Sequence, residues 1–218
     1  MTPDLDPDRL LALAYAPTRA RHALEALWRL DVTLGAVLAT GTQPMVSRIR
    51  LAWWREALER LDAAPAPGEP VLQALAAAVL PAGVSGAALA GMEEGWAALL
   101  DDGPLHPEVL RVYAGKRGGL LFRLSAILLG GDAEVEPAGA RWALVDLARH
   151  SSKRDDAEAA MQAAAEIPQE PALPKVLRPL AMLSLLARRD LARGGPPFER
   201  QGAPARMARL LGYRLTGR

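Results

Sequence analysis

The sequence contains no cysteine. Disulfides, cysteine-ligated zinc, iron–sulfur clusters and thiol nucleophiles are therefore excluded, and the composition fits a reducing compartment. Aromatic residues make up only 5% of the chain, with two phenylalanines and three tyrosines. Scarce aromatics alongside abundant alanine and leucine favour close-packed helices over sheets. Neither charge sign dominates: 26 basic residues face 25 acidic ones, a formal net charge of +1. Such a balance gives no electrostatic basis for general nucleic-acid binding. No uninterrupted apolar run approaches the roughly 20 residues of a membrane span; the best, Leu120 to Leu129, is broken by Arg123. The first residues are acidic (Asp4, Asp6, Asp8) where a signal peptide would be basic and then apolar. The three histidines, His22, His106 and His150, lack metal-ligand spacing.

What is present is helical punctuation. Half of the 218 residues are hydrophobic, enough for one domain spanning 1–218 with a large core. Asp6-Pro7 opens a short helix that stops before Pro17. Thr18 caps a helix reaching about Ala39, and Gly41-Thr42-Gln43-Pro44 leads into another that ends near Leu61. Shorter helices follow over Val71–Leu80 and Ser85–Leu100. Asp101 to Pro107 is a turn before a long helix broken at Gly130-Gly131. Further helices cover Ala138–His150, Asp155–Glu166, the stretch after Pro174 to Arg193, and Ala205–Tyr213. No segment alternates with a period of two, so the fold class is all-α.

Laid out at about 100° per residue, these helices carry charges on their apolar faces. Asp31 falls among Ala20, Ala23, Leu24, Leu27, Leu34 and Leu38. Arg50 lies inside a broad arc flanked by Val46, Trp53 and Ala57 on one side and by Trp54, Leu58 and Leu61 on the other; Arg48, Arg55 and Glu59 lie opposite. Arg117 is centred on the face of Leu110, Tyr113, Leu120, Leu124 and Leu128, and Asp146 with His150 borders that of Ala140, Ala143 and Leu147. An inward charge is costly unless it is paired or faces a wet cavity. Two readings follow. One is structural ion pairs, with Asp31 expected to meet Arg50 across a short connection. The other is a polar cavity lining in which Arg117 receives an anionic head group.

Three segments in order resemble the squalene/phytoene synthase family. Leu13-Ala14-Tyr15-Ala16-Pro17, continuing through Arg21 to Trp28, is similar to its first helices. Pro44-Met45-Val46 through Trp53-Trp54-Arg55-Glu56-Ala57-Leu58 resembles a block of its bacterial and mitochondrial assembly-factor-like branch. Tyr113 to Gly119, then Ile127 to Gly130, Gly139 and Arg149, follows the family's order. The resemblance implies a terpenoid-synthase-like helical bundle around a central cavity. Together with the inward charges Asp31, Arg50, Arg117 and Asp146, the resemblance through Tyr113 and Arg149 gives the substrate-binding candidates.

Family enzymes join two prenyl diphosphates, using aspartate-rich motifs on facing helices to hold the Mg²⁺ that neutralises the leaving diphosphate. Here the first motif falls near Gly35-Ala36-Val37-Leu38-Ala39, without a carboxylate, and the second at His150-Ser151-Ser152-Lys153-Arg154. Asp31, Asp146 and Asp155 are the nearby acids. The expectation is a non-catalytic member with no catalytic residues and no cofactor, acting in respiratory-complex assembly with a protein partner or holding an isoprenoid or lipid. The alternative is an active Mg²⁺-dependent prenyltransferase of squalene, hopanoid or carotenoid biosynthesis. A cytoplasmic location with peripheral membrane contact completes the reading.

Overall fold

Helix-starting chemistry accounts for where the chain turns. In the computed structural model, which describes residues 4–41, 43–101, 103–169 and 171–216, Asp6 precedes Pro7 and accepts a hydrogen bond from the Arg9 backbone N–H at 3.0 Å. That cap opens α1 (Pro7–Ala14). α2 (Thr18–Ala39) begins without a side-chain cap: Pro17 stands at the cap position and Thr18 is already helical, so the expected Thr18 cap is absent. α3 (Pro44–Arg60) follows. Glu69 and Ser85 cap α4 (Pro70–Ala78) and α5 (Gly86–Ala90), and α6 (Met92–Ala97) continues after α5. The stretch expected as one helix over Ser85–Leu100 is thus α5, α6 and a 3₁₀ turn, Ala98–Leu100. Thr42 and Asp102, which belong to two of the expected turns, lie outside the described residues.

The long helix expected from Pro107 to Leu129 is continuous but not uniform. α7 (Pro107–Tyr113) passes through a π-helical stretch, Ala114–Gly119, into α8 (Leu120–Leu129). α9 (Glu136–His150), α10 (Arg154–Glu166), α11 (Arg178–Ala192) and α12 (Pro204–Thr216) complete the fold. Among the described residues there is no strand, and no helix is long and apolar enough to cross a membrane.

α9 packs against the π stretch, α10 and α11, while α2 packs against α8, α4 and α6. Where α9 crosses the π stretch, the backbones meet through glycines. A Cβ on Gly118 would lie 2.2 Å from the Gly139 carbonyl oxygen, and a Cβ on Gly139 would lie 2.2 Å from that of Gly118. Only glycine at both positions lets α9 meet the π stretch this closely. Seven residues beyond Gly139, on the same helical face, is Asp146; immediately before Gly118 is Arg117. The glycine contact therefore sets the distance between the two charged side chains.

The inward faces expected for α2 and the long helix are observed. Asp31 is fully buried, and Leu110, Tyr113, Arg117, Leu120, Leu124 and Leu128 are all buried. α3 is different. Its buried residues are Ser47, Leu51, Trp54, Ala57 and Leu58, while Trp53 is 48% exposed and Arg50 is exposed. The expected burial of Trp53 and the inward placement of Arg50 are both corrected. α3 is apolar on two faces, and the one that packs, running from Ser47 through Leu51, Trp54 and Leu58, leaves the other in solvent. Arg48, Arg55 and Glu59 are exposed as expected.

Candidate functional site

Arg117 is the hub of a buried charge network. Its Nε and Nη2 donate to the two carboxylate oxygens of Asp31 at 2.8 and 3.0 Å, a bidentate pair joining the π stretch to α2. Nη2 also donates to Asp146 Oδ2 on α9 at 2.7 Å, and Nη1 donates to the Tyr113 hydroxyl. Three aromatic rings surround the same guanidinium: Trp96 at 4.2 Å, Trp142 at 5.0 Å and Tyr113 at 5.3 Å from centroid to Cζ.

A second guanidinium comes from α1. Arg9 lies 3.0 Å from Asp31 Oδ2, 3.0 Å from Asp6 Oδ2 and 3.9 Å from Asp146 Oδ2, with its Cζ 4.8 Å from the Trp142 ring centre. Three carboxylates and two guanidiniums thus share one buried centre. His150 sits at its edge, with Nδ1 3.4 Å from Asp146 Oδ1.

The electrostatics follow from this geometry. Burial would raise the Asp146 carboxyl, but Arg117, then Arg9 and His150, outweigh it and bring its pKa down to about 2. Burial would lower Arg117, but Asp31 and its other neighbours hold it well above the ordinary arginine value. Burial raises Tyr113, keeping its hydroxyl protonated. Asp6 is also raised, by burial that Arg9 only partly offsets.

Above the network is a cavity of about 450 Å³. Its walls include Val32, Ala36, Leu38, Leu99 and Leu147, and its polar end includes Arg9, Tyr113, Arg117, Asp146 and His150. Gly35 also lines it: a Cβ there would lie 2.8 Å from the Trp96 ring, so the indole rests directly on the α2 backbone. Gly35, within the stretch expected to hold the first aspartate-rich motif, is thus covered by an aromatic ring.

Of the six candidates, the structure brings together Asp31, Tyr113, Arg117 and Asp146. Arg50 is exposed on α3 and does not meet Asp31; Arg117 and Arg9 take that carboxylate instead, which corrects the expected Asp31–Arg50 pair. Arg149 belongs to a neighbouring network. It donates to Asp190 at 2.6 Å and to the Glu199 carbonyl at 2.6 Å, while Arg206 donates to Asp190 and Asp8 at 2.7–2.9 Å. Sequence periodicity missed Asp6, Arg9, Trp96, Asp190 and Arg206. The one available signal was Arg9 beside the apolar Leu10-Leu11-Ala12-Leu13 run of a helix too short to define a face.

A divalent cation of the Mg²⁺ type needs carboxylate oxygens with free lone pairs, and this donor set does not fit one. Both Asp31 oxygens accept from guanidinium N–H groups in a fully buried site. Asp146 is bound by Arg117, and Asp155 is exposed in the first turn of α10. No group of three acidic or histidine side chains able to hold a metal occurs among the described residues. The carboxylates of two facing helices do converge, and they converge on arginine.

Residues 3–166 match the sequence profile of the squalene/phytoene synthase family. No curated protein and no solved structure gives a significant match.

Proposed function

The chain belongs to the squalene/phytoene synthase family, and we propose that within it this is a non-catalytic member whose cavity holds an isoprenoid or other lipid chain without converting it. The observation that carries the reading is the bridging of Asp31 and Asp146 by Arg117, with Arg9 beside them. A guanidinium is a fixed cation tied to the protein. It satisfies the carboxylates that would otherwise recruit Mg²⁺, and it cannot travel with a leaving diphosphate. The apolar walls supply the affinity, since each buried methylene contributes about 0.8 kcal/mol. Tyr113 and Arg117 close the polar end.

The test is incubation of purified protein with labelled farnesyl or geranylgeranyl diphosphate and Mg²⁺, following both released diphosphate and the label retained by the protein. The expected result is retention of the intact prenyl chain with no release above a protein-free blank. Sustained release that needs Mg²⁺ and stops with a chelator would restore the prenyltransferase alternative. Absence of retained label would remove the lipid-holding role.

A further inference from the structure

Seven large apolar side chains are exposed among the described residues, and four of them lie between Met45 and Trp53 on α3. Met45 is 66% exposed, Val46 46%, Ile49 63% and Trp53 48%. Met45, Ile49 and Trp53 are spaced by four residues, and Val46 lies three before Ile49, so all four share one face. That face is not the packed one: Ser47, Leu51, Trp54 and Leu58 already anchor the helix to the core. An exposed apolar stripe on an otherwise folded helix marks a surface that something covers.

The charges say what covers it. From Pro44 to Arg55, α3 carries Arg48, Arg50 and Arg55 and no acid. Arg48 and Arg55 lie across the helix from the stripe, with Arg48 paired to Asp101, so Arg50 is the cation beside it. Glu56, one turn past Trp53, is paired with Arg60. Arg50 flanks Val46 and Trp53 at helical spacing, is exposed, and has no acidic partner among the described residues. A second copy of the chain fits less well, because it would bring a second Arg50 to the same interface and no unpaired acid for either. A surface that is apolar below and anionic above matches both parts: tryptophan and the aliphatic chains enter the interface, and arginine reaches the head groups.

We propose that the Met45–Trp53 face of α3 docks the protein on anionic lipid bilayers. The stripe also lies close to the cavity. Ala39 and Leu38 on the cavity wall precede the connection into α3, and the Ser47 hydroxyl donates to the Val37 carbonyl at 3.3 Å. A bilayer seated on α3 lies beside that wall.

The experiment is flotation of the full chain with vesicles of phosphatidylcholine alone and of phosphatidylcholine mixed with phosphatidylglycerol. No ligand in the cavity and no activity are needed, so the result is separate from that of the prenyl-chain assay. Wild type should float with the anionic vesicles only, and added salt should release it. Ile49→Glu and Trp53→Glu should each lower binding by more than about tenfold, and Arg50→Gln by roughly fivefold. All three substitutions are at exposed positions, and matching circular dichroism and unfolding curves check that they leave the fold intact. Ile127→Glu, at an exposed apolar position on α8, should bind as wild type. Failure of wild type to float, unchanged binding by Trp53→Glu, or equal loss in Ile127→Glu would each overturn the proposal. So would a wild-type dimer that Ile49→Glu dissociates without any vesicle binding.

Discussion

At Asp146, burial and charge pull in opposite directions, and charge wins. Its carboxyl falls from an ordinary 3.8 to about 2 because Arg117 and Arg9 face it. A carboxyl depressed on folding adds stability above its unfolded pKa, and that stability is lost as pH falls through the folded value. The loss should run from about pH 5 down to about pH 2 and amount to roughly 2 kcal/mol at Asp146. Asp6, raised by burial, works in the opposite sense and makes the wild-type curve shallower. Urea unfolding across this range should therefore show a steeper acid decline in wild type than in Asp146→Asn, which keeps Asp6 but removes the Asp146 charge that helps to raise it. Parallel curves would mean that Asp146 is not held ionised by its arginines. The sequence revealed that Asp31 and Arg117 point inward, because each interrupts a long apolar face. It did not reveal that they meet: a face fixes direction around one helix, not the partner on another. Arg9 was hidden by the brevity of α1, whose two turns carry too few apolar positions to define a phase.

Helices are the most legible elements of this chain, with α3 the exception. Caps, prolines and periodicity located most of the elements, because each signal is local. α3 slipped because it is apolar on two sides. Trp53 and Trp54 are adjacent, with their rings edge to face at 5.2 Å, and only one is in the core. The π stretch was invisible as well, since Ala114–Gly119 differs from an ordinary helix only in its hydrogen-bonding step. Its function in the fold rests on Gly118 and Gly139. Gly139→Ala should cost at least about 3 kcal/mol, because its new methyl would meet the Gly118 backbone and cannot be moved aside as a flexible side chain could. Gly115→Ala, in the same stretch with open space around it, should change stability by less than about 1 kcal/mol. Equal costs in urea unfolding would show that close helix approach does not control this crossing.

Over the whole molecule, the family match ends at residue 166, yet the charge networks continue past it. Asp190 on α11 and Arg206 on α12 join Asp8 and Arg149, tying the last helices to the first. All-α architecture was legible because helical signals recur along the sequence; the cavity's lining was not, because it depends on side chains from α1, α2, α6, α7, the π stretch and α9 at once. Arginine bridges the two facing carboxylates, and the stability of the fold should depend on it. Global unfolding of wild type and Arg117→Met in urea tests this directly. Removing the guanidinium strands Asp31 and Asp146 beside a single remaining arginine, and the predicted loss is roughly 3–5 kcal/mol. A variant as stable as wild type to within about 1 kcal/mol would mean that the buried carboxylates do not need the cation that bridges them.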